Sequence, residues 1–212
     1  MEKRCNLAGD MIALIDYGSG NLRSVEKALA HVGGEVRITS APAEVRAADA
    51  VVLPGVGAFG DCVKNLQNRG LVDAIRYFIG SGRPFLGICV GLQMLFQGGE
   101  ESPDVAGLGV LAGSVPRFPD DKLKVPHMGW NRLRVRRPDC PLLRGVADGS
   151  HVYFVHSYYA APADTSVVAA TAEYGLEFAA LIWRENILAT QFHPEKSQTV
   201  GLQMLANFVR LL

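Results

Sequence analysis

The sequence predicts an α/β protein with a doubly wound, mostly parallel central sheet that is covered by helices on both faces. In the first half, continuous apolar strands alternate with amphipathic helices, which is typical of a parallel sheet buried on both faces. In the second half, closely spaced β segments indicate a smaller antiparallel sheet. The length of 212 residues, with 49% hydrophobic and 20% charged residues, fits one globular domain.

Apolar runs that end in glycine-containing turns define the elements of the first half. Met11–Asp16, for example, is a compact apolar run followed by the turn Tyr17–Gly20, as expected for a buried strand. The predicted order is strand Met11–Asp16, helix Leu22–Val32, strands Glu35–Ile38 and Ala50–Leu53, helix Leu66–Ile79, strand Pro84–Ile88 and a helical pattern of Leu92, Leu95 and Phe96.

The second half is richer in short β segments and ends in an amphipathic helix. Residues 116–126 contain several prolines and are expected to form a long surface loop. The predicted order is strands Val105–Val115, Leu133–Arg136, Val152–Tyr159, Val167–Thr171, Ala179–Trp183 and Ile187–Gln191, then helix Gly201–Leu212.

Composition and charge exclude several classes of protein. Lys plus Arg and Asp plus Glu both total 21, so the net charge of zero argues against nucleic acid or an anionic membrane as the main partner. The four cysteines, Cys5, Cys62, Cys89 and Cys140, form no C-x-x-C pair, and we expect neither a metal nor a cofactor. No segment approaches the roughly 18 apolar residues that a membrane helix needs.

Residues 1–10 are expected to form a short extension before a single domain that spans residues 11–212. This extension carries charges at Glu2, Lys3, Arg4 and Asp10 and has no apolar run behind a basic start, so it does not resemble a signal peptide. Together with the scattered cysteines, this predicts a reduced, cytoplasmic protein.

The most informative motif is the segment 87–91, GICVG, which has the form G-x-C-x-G between an apolar strand and a helical pattern. This is the nucleophile-elbow pattern with cysteine in place of serine. The turn forces Cys89 into an unusual backbone conformation, and glycines on either side avoid collisions with the strand and the helix. A helix N-terminus also favours the reactive thiolate. The alternative is a buried structural cysteine between two packing glycines.

A base and an acid for this thiol are found in the run QFHPE at 191–195, which follows an apolar strand. His193 can take the proton of a thiol and later return one to a leaving amine. Strand alternation predicts that Glu195 lies on the same side as His193, where it would hold the imidazole tautomer and stabilise the charged ring. We therefore predict a triad of Cys89, His193 and Glu195.

Two further segments are candidates for holding a substrate. The glycine-rich loop 54–57, PGVG, ends the third strand beside the elbow, and its backbone N–H groups at Val56 and Gly57 are candidates for an oxyanion site together with Val90 N–H. Gln93 lies one helical turn after Cys89, within reach of the polar end of a substrate. Alternatively, the loop is a simple connection and Gln93 an ordinary helix residue.

Together, the loop at 54–57, the elbow at 87–91 and the His-Pro-Glu run at 193–195 resemble the class I, triad-type glutamine amidotransferases, in the order in which that family has them. The resemblance extends from Ile12 to Leu212. Within that family, the segments 16–22, 54–59, 126–131 and 156–159 are similar to those of the glutaminase subunits of imidazole glycerol phosphate synthases.

This resemblance implies an activity, a substrate and a partner. Glutamine would be hydrolysed to glutamate and ammonia through a glutamyl thioester on Cys89, and ammonia would pass to a (β/α)₈ cyclase subunit in histidine biosynthesis. The resemblance also assigns residues to two sites: Gly57, Gln93, Ser157 and Tyr158 to glutamine, and Asn21, Trp130, Tyr153 and Lys196 to the cyclase interface.

Several alternatives stay open from the residues alone. Trp130 and Tyr153 fit equally well as core aromatics, and Lys196 as a solvated charge. A glutaminase serving another synthase, such as one for anthranilate or pyridoxal phosphate, would have the same triad. A catalytically inactive binding module predicts a missing triad residue, whereas all three are present. Dinucleotide binding at 18–23 is rejected because Arg23 replaces the third glycine.

Overall fold

The computed structural model of the chain describes residues 10–119 and 123–212. The expected extension of residues 1–10, with Cys5, lies outside the described residues except for Asp10. Positions 120–122 of the predicted loop 116–126 also lie outside them. No role is assigned to either segment.

The first half of the chain alternates strands and helices as predicted. Its elements are β1 (Met11–Ile15), α1 (Leu22–His31), β2 (Glu35–Thr39), α2 (Pro42–Ala47), β3 (Ala50–Leu53), α3 (Phe59–Asn68), α4 (Leu71–Gly80), β4 (Phe85–Ile88) and α5 (Val90–Gln93). The four predicted strands and the first helix are confirmed, whereas α2 was not predicted.

Two helix predictions in this half are wrong in extent. The single helix expected over Leu66–Ile79 is two helices, because Gly70 adopts a left-handed conformation with φ of 65° and separates α3 from α4. The helix after Cys89 has only four residues. It ends there because the carbonyls of residues 94–96 accept hydrogen bonds from residues 108–111 instead of from a further helical turn.

The second half consists mainly of short strands followed by a final helix. Its elements are β5 (Gly113–Ser114), β6 (His127–Arg132), β7 (Arg134–Val135), β8 (His151–His156), β9 (Ala161–Pro162), β10 (Val168–Glu173), β11 (Glu177–Arg184), β12 (Ile187–Thr190) and α6 (Gln198–Val209). The strand predicted over Val105–Val115 is wrong except at β5, because the N–H groups of residues 107–111 bond to carbonyls of residues 94–97. Strand β6 was not predicted.

Eight strands form one sheet in the order β2-β1-β3-β4-β12-β11-β10-β7. Strands β2, β1, β3, β4 and β12 pair in parallel. Strands β11, β10 and β7 continue the same sheet in antiparallel pairing. Two separate antiparallel pairs, β5–β9 and β6–β8, complete the architecture. The predicted fold class is confirmed.

Helices cover this sheet in two groups. The chain passes from β1 to β2 through α1 in one direction, and then from β2 to β3 and on to β4 in the other. Right-handed crossovers therefore place α1 on one face and α2, α3 and α4 on the opposite face. In agreement, α1 contacts α6, and α4 contacts α2 and α3. None of the described helices is long and apolar enough to cross a lipid bilayer.

The direction of the strands determines where functional groups meet. Strands β1, β3, β4 and β12 are parallel neighbours, so the segments that follow them all emerge at one edge of the sheet. This carboxyl edge brings together the turn after β1, the loop 54–57, the turn at Cys89 and the segment 191–196.

Candidate active site

A cavity of about 310 Å³ opens at the carboxyl edge of the sheet. Its lining combines residues of β8 with residues from the segments that follow β3, β4 and β12, which are far apart in the chain. Eight of the predicted site residues line it: Val56, Gly57, Cys89, Val90, Gln93, Ser157, Tyr158 and His193. Glu195 is held behind His193.

The turn at Cys89 has the geometry that the G-x-C-x-G motif predicts. Cys89 has φ of 56° and ψ of −111°, and its N–H donates to Thr190 O at 2.7 Å. A side chain at Gly91 would place Cβ 2.0 Å from Leu53 O, and one at Gly87 would press on the backbone of Gly91. Both glycines are therefore needed for the close approach of strand and helix, and Cys89 carries the backbone strain.

The short helix changes one expectation about this thiol. A macrodipole builds up along the length of a helix, and α5 has only four residues, Val90–Gln93. The helix dipole at Cys89 is therefore weaker than the sequence predicted.

His193 and Glu195 form a buried pair beside Cys89. The Nδ1 atom of His193 lies 2.8 Å from Glu195 Oε1, and both side chains are almost fully buried. The prediction that strand alternation brings them together was wrong. The strand ends at Thr190, and Pro194–Lys196 is a 3₁₀ helix that brings the Glu195 carboxylate back onto the His193 ring. The backbone of His193 is fixed by its N–H, which donates to Tyr153 O at 3.0 Å.

The surroundings of His193 favour its charged form. Burial opposes protonation, but the Cys89 thiol and the Glu195 carboxylate outweigh it and together raise the pKa of His193 to about 10. A carboxylate oxygen accepts at Nδ1, so Nε2 is the nitrogen available for chemistry. Among the described residues, no group forms a hydrogen bond with Nε2. The arrangement suits a thiolate–imidazolium pair.

The loop 54–57 presents a carbonyl where the predicted oxyanion site needs a donor. Val90 N–H donates to Gly55 O at 3.4 Å, so this N–H is already engaged. The same peptide unit carries Val56 N–H, which points away from Val90. The neighbouring carbonyls are held more firmly: Tyr17 Oη donates to Pro54 O at 2.9 Å, and Ser19 Oγ donates to Val56 O at 2.5 Å.

Gln93 belongs to a buried hydrogen-bond network. Its Nε2 donates to Tyr158 O at 3.0 Å and to Gln191 Oε1 at 3.1 Å, which uses both hydrogens of the amide nitrogen. Only Oε1 of Gln93 remains to meet a ligand. Gln191 Nε2 in turn lies 3.8 Å from Cys89 Sγ. Gln191 belongs to the run 191–195, in which the sequence predicted roles for His193 and Glu195 alone.

Two buried histidines, for which the sequence predicted no individual role, adjoin the cavity. His127 Nδ1 lies 2.9 Å from His156 Nε2, and His156 Nδ1 lies 2.8 Å from Tyr158 O. A carbonyl only accepts, so His156 carries its proton on Nδ1. His127 Nδ1 therefore donates to His156 Nε2. Burial lowers the pKa of His127 to about 4 and that of His156 to about 3, so both rings are neutral. Their sequence signal is alternation: both occupy inward positions of strands β6 and β8.

The four residues expected at a partner interface occupy partly or fully exposed positions around this edge. Trp130 and Tyr153 face each other across β6 and β8 with ring centroids 6.0 Å apart, and the Lys196 ammonium lies 5.9 Å from the Tyr153 ring. Asn21 is half-buried at the start of α1. Met128, which is 62% exposed on the same face of β6 as Trp130, was not predicted.

Metal binding has no support in the described part of the chain. Within residues 10–119 and 123–212, no three His, Cys, Asp or Glu side chains are arranged so that they could hold a metal ion. The chemistry of the cavity is that of a thiol, an imidazole and a carboxylate.

Comparison with known proteins identifies the family. The family model described as "Glutamine amidotransferase class-I" matches residues 13–212. The chain belongs to this family. The match covers both halves of the cavity, from β1 to α6.

Several curated relatives are identical to this chain at more than half of the aligned positions. One is "Imidazole glycerol phosphate synthase subunit HisH" of Syntrophotalea carbinolica, which is 56% identical over 93% of this chain and 98% of its own length. The proteins of the same name from Geobacter sulfurreducens and Moorella thermoacetica are each 55% identical, over 93% and 95% of this chain and 97% and 95% of their own lengths.

Solved structures of the family share the fold at lower identity. A structure described as a glutamine amidotransferase superposes with a TM-score of 0.74 at 22% identity, over 96% of this chain and 98% of that one. The structure of PurLQS from Thermotoga maritima gives a TM-score of 0.72 at 18% identity, over 95% of this chain and 96% of that one. These likenesses concern the fold alone.

Proposed function

We propose that this chain is the glutaminase subunit of imidazole glycerol phosphate synthase, an enzyme of histidine biosynthesis. It hydrolyses glutamine to glutamate and ammonia and passes the ammonia to a (β/α)₈ cyclase subunit, with which it forms a heterodimer. The observation that carries the proposal is the Cys89 elbow, which shares a cavity with His193 and, through it, with Glu195. The identity of 56% to a HisH subunit supports this choice among the glutamine amidotransferases.

The reaction proceeds in two halves on Cys89. The thiolate attacks the side-chain amide carbon of glutamine, and charged His193 gives its proton to the departing nitrogen as the C–N bond breaks, leaving ammonia and a glutamyl thioester. Water then attacks the thioester while neutral His193 takes its proton, and the thiolate departs to release glutamate. Glu195 holds the ring tautomer and stabilises the imidazolium throughout.

Glutamine binds along the cavity wall formed by Gly57, Gln93, Ser157 and Tyr158. Both hydrogens of Gln93 Nε2 are used within the protein, so Gln93 meets the substrate through its Oε1 acceptor. A free acceptor suits the α-ammonium group of glutamine, which is a donor only. The backbone at Ser157 and Tyr158 provides the remaining polar contacts.

The oxyanion site forms by rotation of a single peptide. Turning the Gly55–Val56 unit removes Gly55 O from Val90 N–H and brings Val56 N–H toward the cavity, where it joins Val90 N–H and the backbone of Gly57. The peptides on either side stay anchored by Tyr17 and Ser19, whereas the rotating one is held, among the described residues, by a single long bond of 3.4 Å. This makes the resting chain a poor glutaminase until its partner binds.

The cyclase subunit docks on the face that carries Asn21, Trp130, Tyr153 and Lys196. Exposed Met128 and Trp130 add apolar area to this face, which supports its use as an interface. The strand β8 that carries Tyr153 also binds the backbone of His193, so the interface is connected directly to the triad.

We further propose that residues 11–212 form one domain and that the protein acts in the cytoplasm without a bound cofactor. The single sheet that spans β1 to β12 supports one domain. The pathway and the free thiols of the described cysteines support the cytoplasmic location.

A glutaminase assay with and without the cyclase subunit and its nucleotide ligand tests the proposal. We expect weak hydrolysis by the chain alone, and an increase of at least about 10²-fold, the contribution of one oxyanion donor, when both are added. Full activity of the isolated chain would contradict the resting-loop mechanism. No stimulation by the cyclase, combined with capture of a different synthase, would contradict the choice of pathway.

Two glycine variants separate the loop from general stability. Gly57 and Gly33 have φ of 97° and 93°, and neither has backbone atoms near the position of a Cβ. We expect Gly57→Ala and Gly33→Ala each to lower the free energy of unfolding by about 1 kcal/mol. Only Gly57→Ala should reduce stimulation by the cyclase. Equal stimulation of both variants by the cyclase would show that the loop 55–57 does not control glutaminase activity.

A further inference from the structure

We infer that Gln191 is a positioning residue that donates a hydrogen bond to the Cys89 sulfur and thereby favours the thiolate. Its side chain is fully buried, and its Nε2 lies 3.8 Å from Cys89 Sγ, a long hydrogen bond to a large and polarisable acceptor. The inference rests on the proposed role of Cys89 as the nucleophile.

The orientation of the Gln191 amide is fixed by a backbone carbonyl two steps away. Tyr158 O can only accept, so the Gln93 amide must turn its nitrogen toward it. The same nitrogen donates to Gln191, which must therefore present its oxygen to Gln93. The remaining group of Gln191, the NH₂, is then forced to face Cys89. The network allows a donor at the sulfur and excludes an acceptor.

The position of Gln191 follows from the sheet. Strand β12 pairs with β4 in register Thr190↔Ile88, so the residues that follow the two strands, Gln191 and Cys89, lie side by side at the carboxyl edge. The N–H of Gln191 donates to Ala180 O at 2.9 Å and holds this backbone in place. Gln191 thus approaches the sulfur from a backbone position that directly follows β12 and is hydrogen-bonded to β11.

A donor here has a clear physical use. The helix after Cys89 is too short to supply a strong dipole, and a buried thiolate needs hydrogen bonds to offset the loss of water. His193 provides the charge, but it also has to protonate the leaving group. A donor that keeps its proton, as an amide does, stabilises the thiolate before attack and again when it leaves the thioester.

Other ionisable groups also face Cys89 and are kept constant in the test. His193, His156 and Glu101 line the same cavity, and Tyr17 and Cys62 interact with Cys89 electrostatically. Because none of them is altered, a change in the titration of Cys89 reports on the amide of Gln191.

The test measures the pH dependence of Cys89 alkylation in the full chain by peptide-resolved mass spectrometry with iodoacetamide. We expect Gln191→Leu to raise the midpoint by about one pH unit, a tenfold loss of thiolate below it, because hydrogen bonds to charged groups are the strong ones. Gln191→Glu keeps the shape and the acceptor for Gln93 but puts an oxygen beside the sulfur, so it should raise the midpoint further.

Controls distinguish positioning from folding. Gln203→Leu removes a part-buried amide that donates to Asn207 in α6, far from the cavity, and should leave the midpoint unchanged. Gln93→Met removes the donor that orients Gln191 and should give a smaller upward shift. Thermal unfolding of every variant shows which have lost only stability.

The inference fails if Gln191→Leu and Gln191→Glu are folded and titrate at Cys89 like the unaltered chain. It also fails if Gln191→Glu lowers the midpoint. Failure of the proposed function is a separate result, because a Cys89→Ala chain that still hydrolyses glutamine with the cyclase would show that Cys89 is not the nucleophile.

Discussion

Two pairs of buried side chains at the same cavity hold histidine in opposite states of charge. At the end of β12, His193 contacts Glu195 and Cys89, and its pKa is raised to about 10. On the hairpin β6–β8, His127 and His156 contact each other and their pKa values are lowered to about 4 and 3. All three rings are buried, so burial alone does not decide the charge.

The difference in pKa comes from the groups to which each ring is hydrogen-bonded. His193 is bonded to a carboxylate, which favours the imidazolium, whereas His156 is bonded to the carbonyl of Tyr158 and to a second ring. The charged histidine can move protons. The neutral pair serves as a chain of fixed donors and acceptors that holds Tyr158 O, and through it the amides of Gln93 and Gln191. One cavity thus contains a histidine suited to proton transfer and a pair of histidines suited to holding other groups in position.

The largest effect on activity is expected from removing the Cys89 thiol, one of the two groups that raise the pKa of His193. Cys89→Ala should reduce glutamine hydrolysis by the complex about 10⁴-fold or more, because no covalent intermediate can form. Cys140→Ala, another buried free cysteine far from the cavity, is the matched control and should keep its activity. Steady-state measurement of glutamate release with the cyclase present checks both, and a loss in both variants would point to folding instead.

Removing the Glu195 carboxylate should leave His193 neutral, as His127 and His156 are. Glu195→Gln keeps the shape but lowers the pKa of His193, and we expect kcat/KM to fall about 10³-fold through loss of the tautomer and of the charge. The pH dependence of kcat/KM checks this result. Glu35→Gln, an exposed carboxylate on β2, should change neither quantity. An unaltered pH profile in Glu195→Gln would show that Glu195 does not set the charge of the ring.

The neutral pair predicts how stability depends on pH. Both pKa values are below the value of about 6.5 in the unfolded chain, so the unfolded state binds more protons between pH 6.5 and the folded pKa values. The stabilising contribution is complete above about pH 6.5 and is lost as the pH falls. We expect a loss of about 2 kcal/mol for each ring on going to pH 5.

Urea unfolding at several pH values measures this slope. His156→Gln should reduce the slope, and His31→Gln, a change at an exposed ring, should leave it unchanged. A stability that stays constant between pH 6.5 and pH 5 in the unaltered chain would contradict the neutral state of the pair.

The smallest effect is expected from placing a carboxylate beside the neutral pair of His127 and His156. Asn131 Nδ2 lies 3.3 Å from His127 Nε2, so Asn131→Asp puts an acidic group where Glu195 stands for His193. We expect the pKa of His127 to rise by about one to two units. Long-range ¹H–¹⁵N NMR spectra of the imidazole nitrogens measure it. If His127 titrates as before, its charge is set by desolvation alone.

The sequence predicted the reactive residues because their signals are local. The glycines around Cys89 are required by a turn of five residues, and the run 191–195 contains both histidine and carboxylate. The helix boundaries were less predictable. Gly70 divides α3 from α4, and the helix after Cys89 stops because residues 108–111, distant in sequence, take its carbonyls. An apolar helical pattern cannot show that competition.

The sequence by itself thus determined the fold class and predicted the triad of Cys89, His193 and Glu195, since strand patterns and tight turns depend on neighbouring residues. Only the tertiary structure decided which polar groups surround them. Gln93 and Gln191 are 98 positions apart, and Gln191 and Cys89 are 102 apart. They meet because β12 inserts beside β4, and the Tyr158 carbonyl then fixes every donor in the network. Such contacts depend on strand order, which is decided when the whole sheet packs.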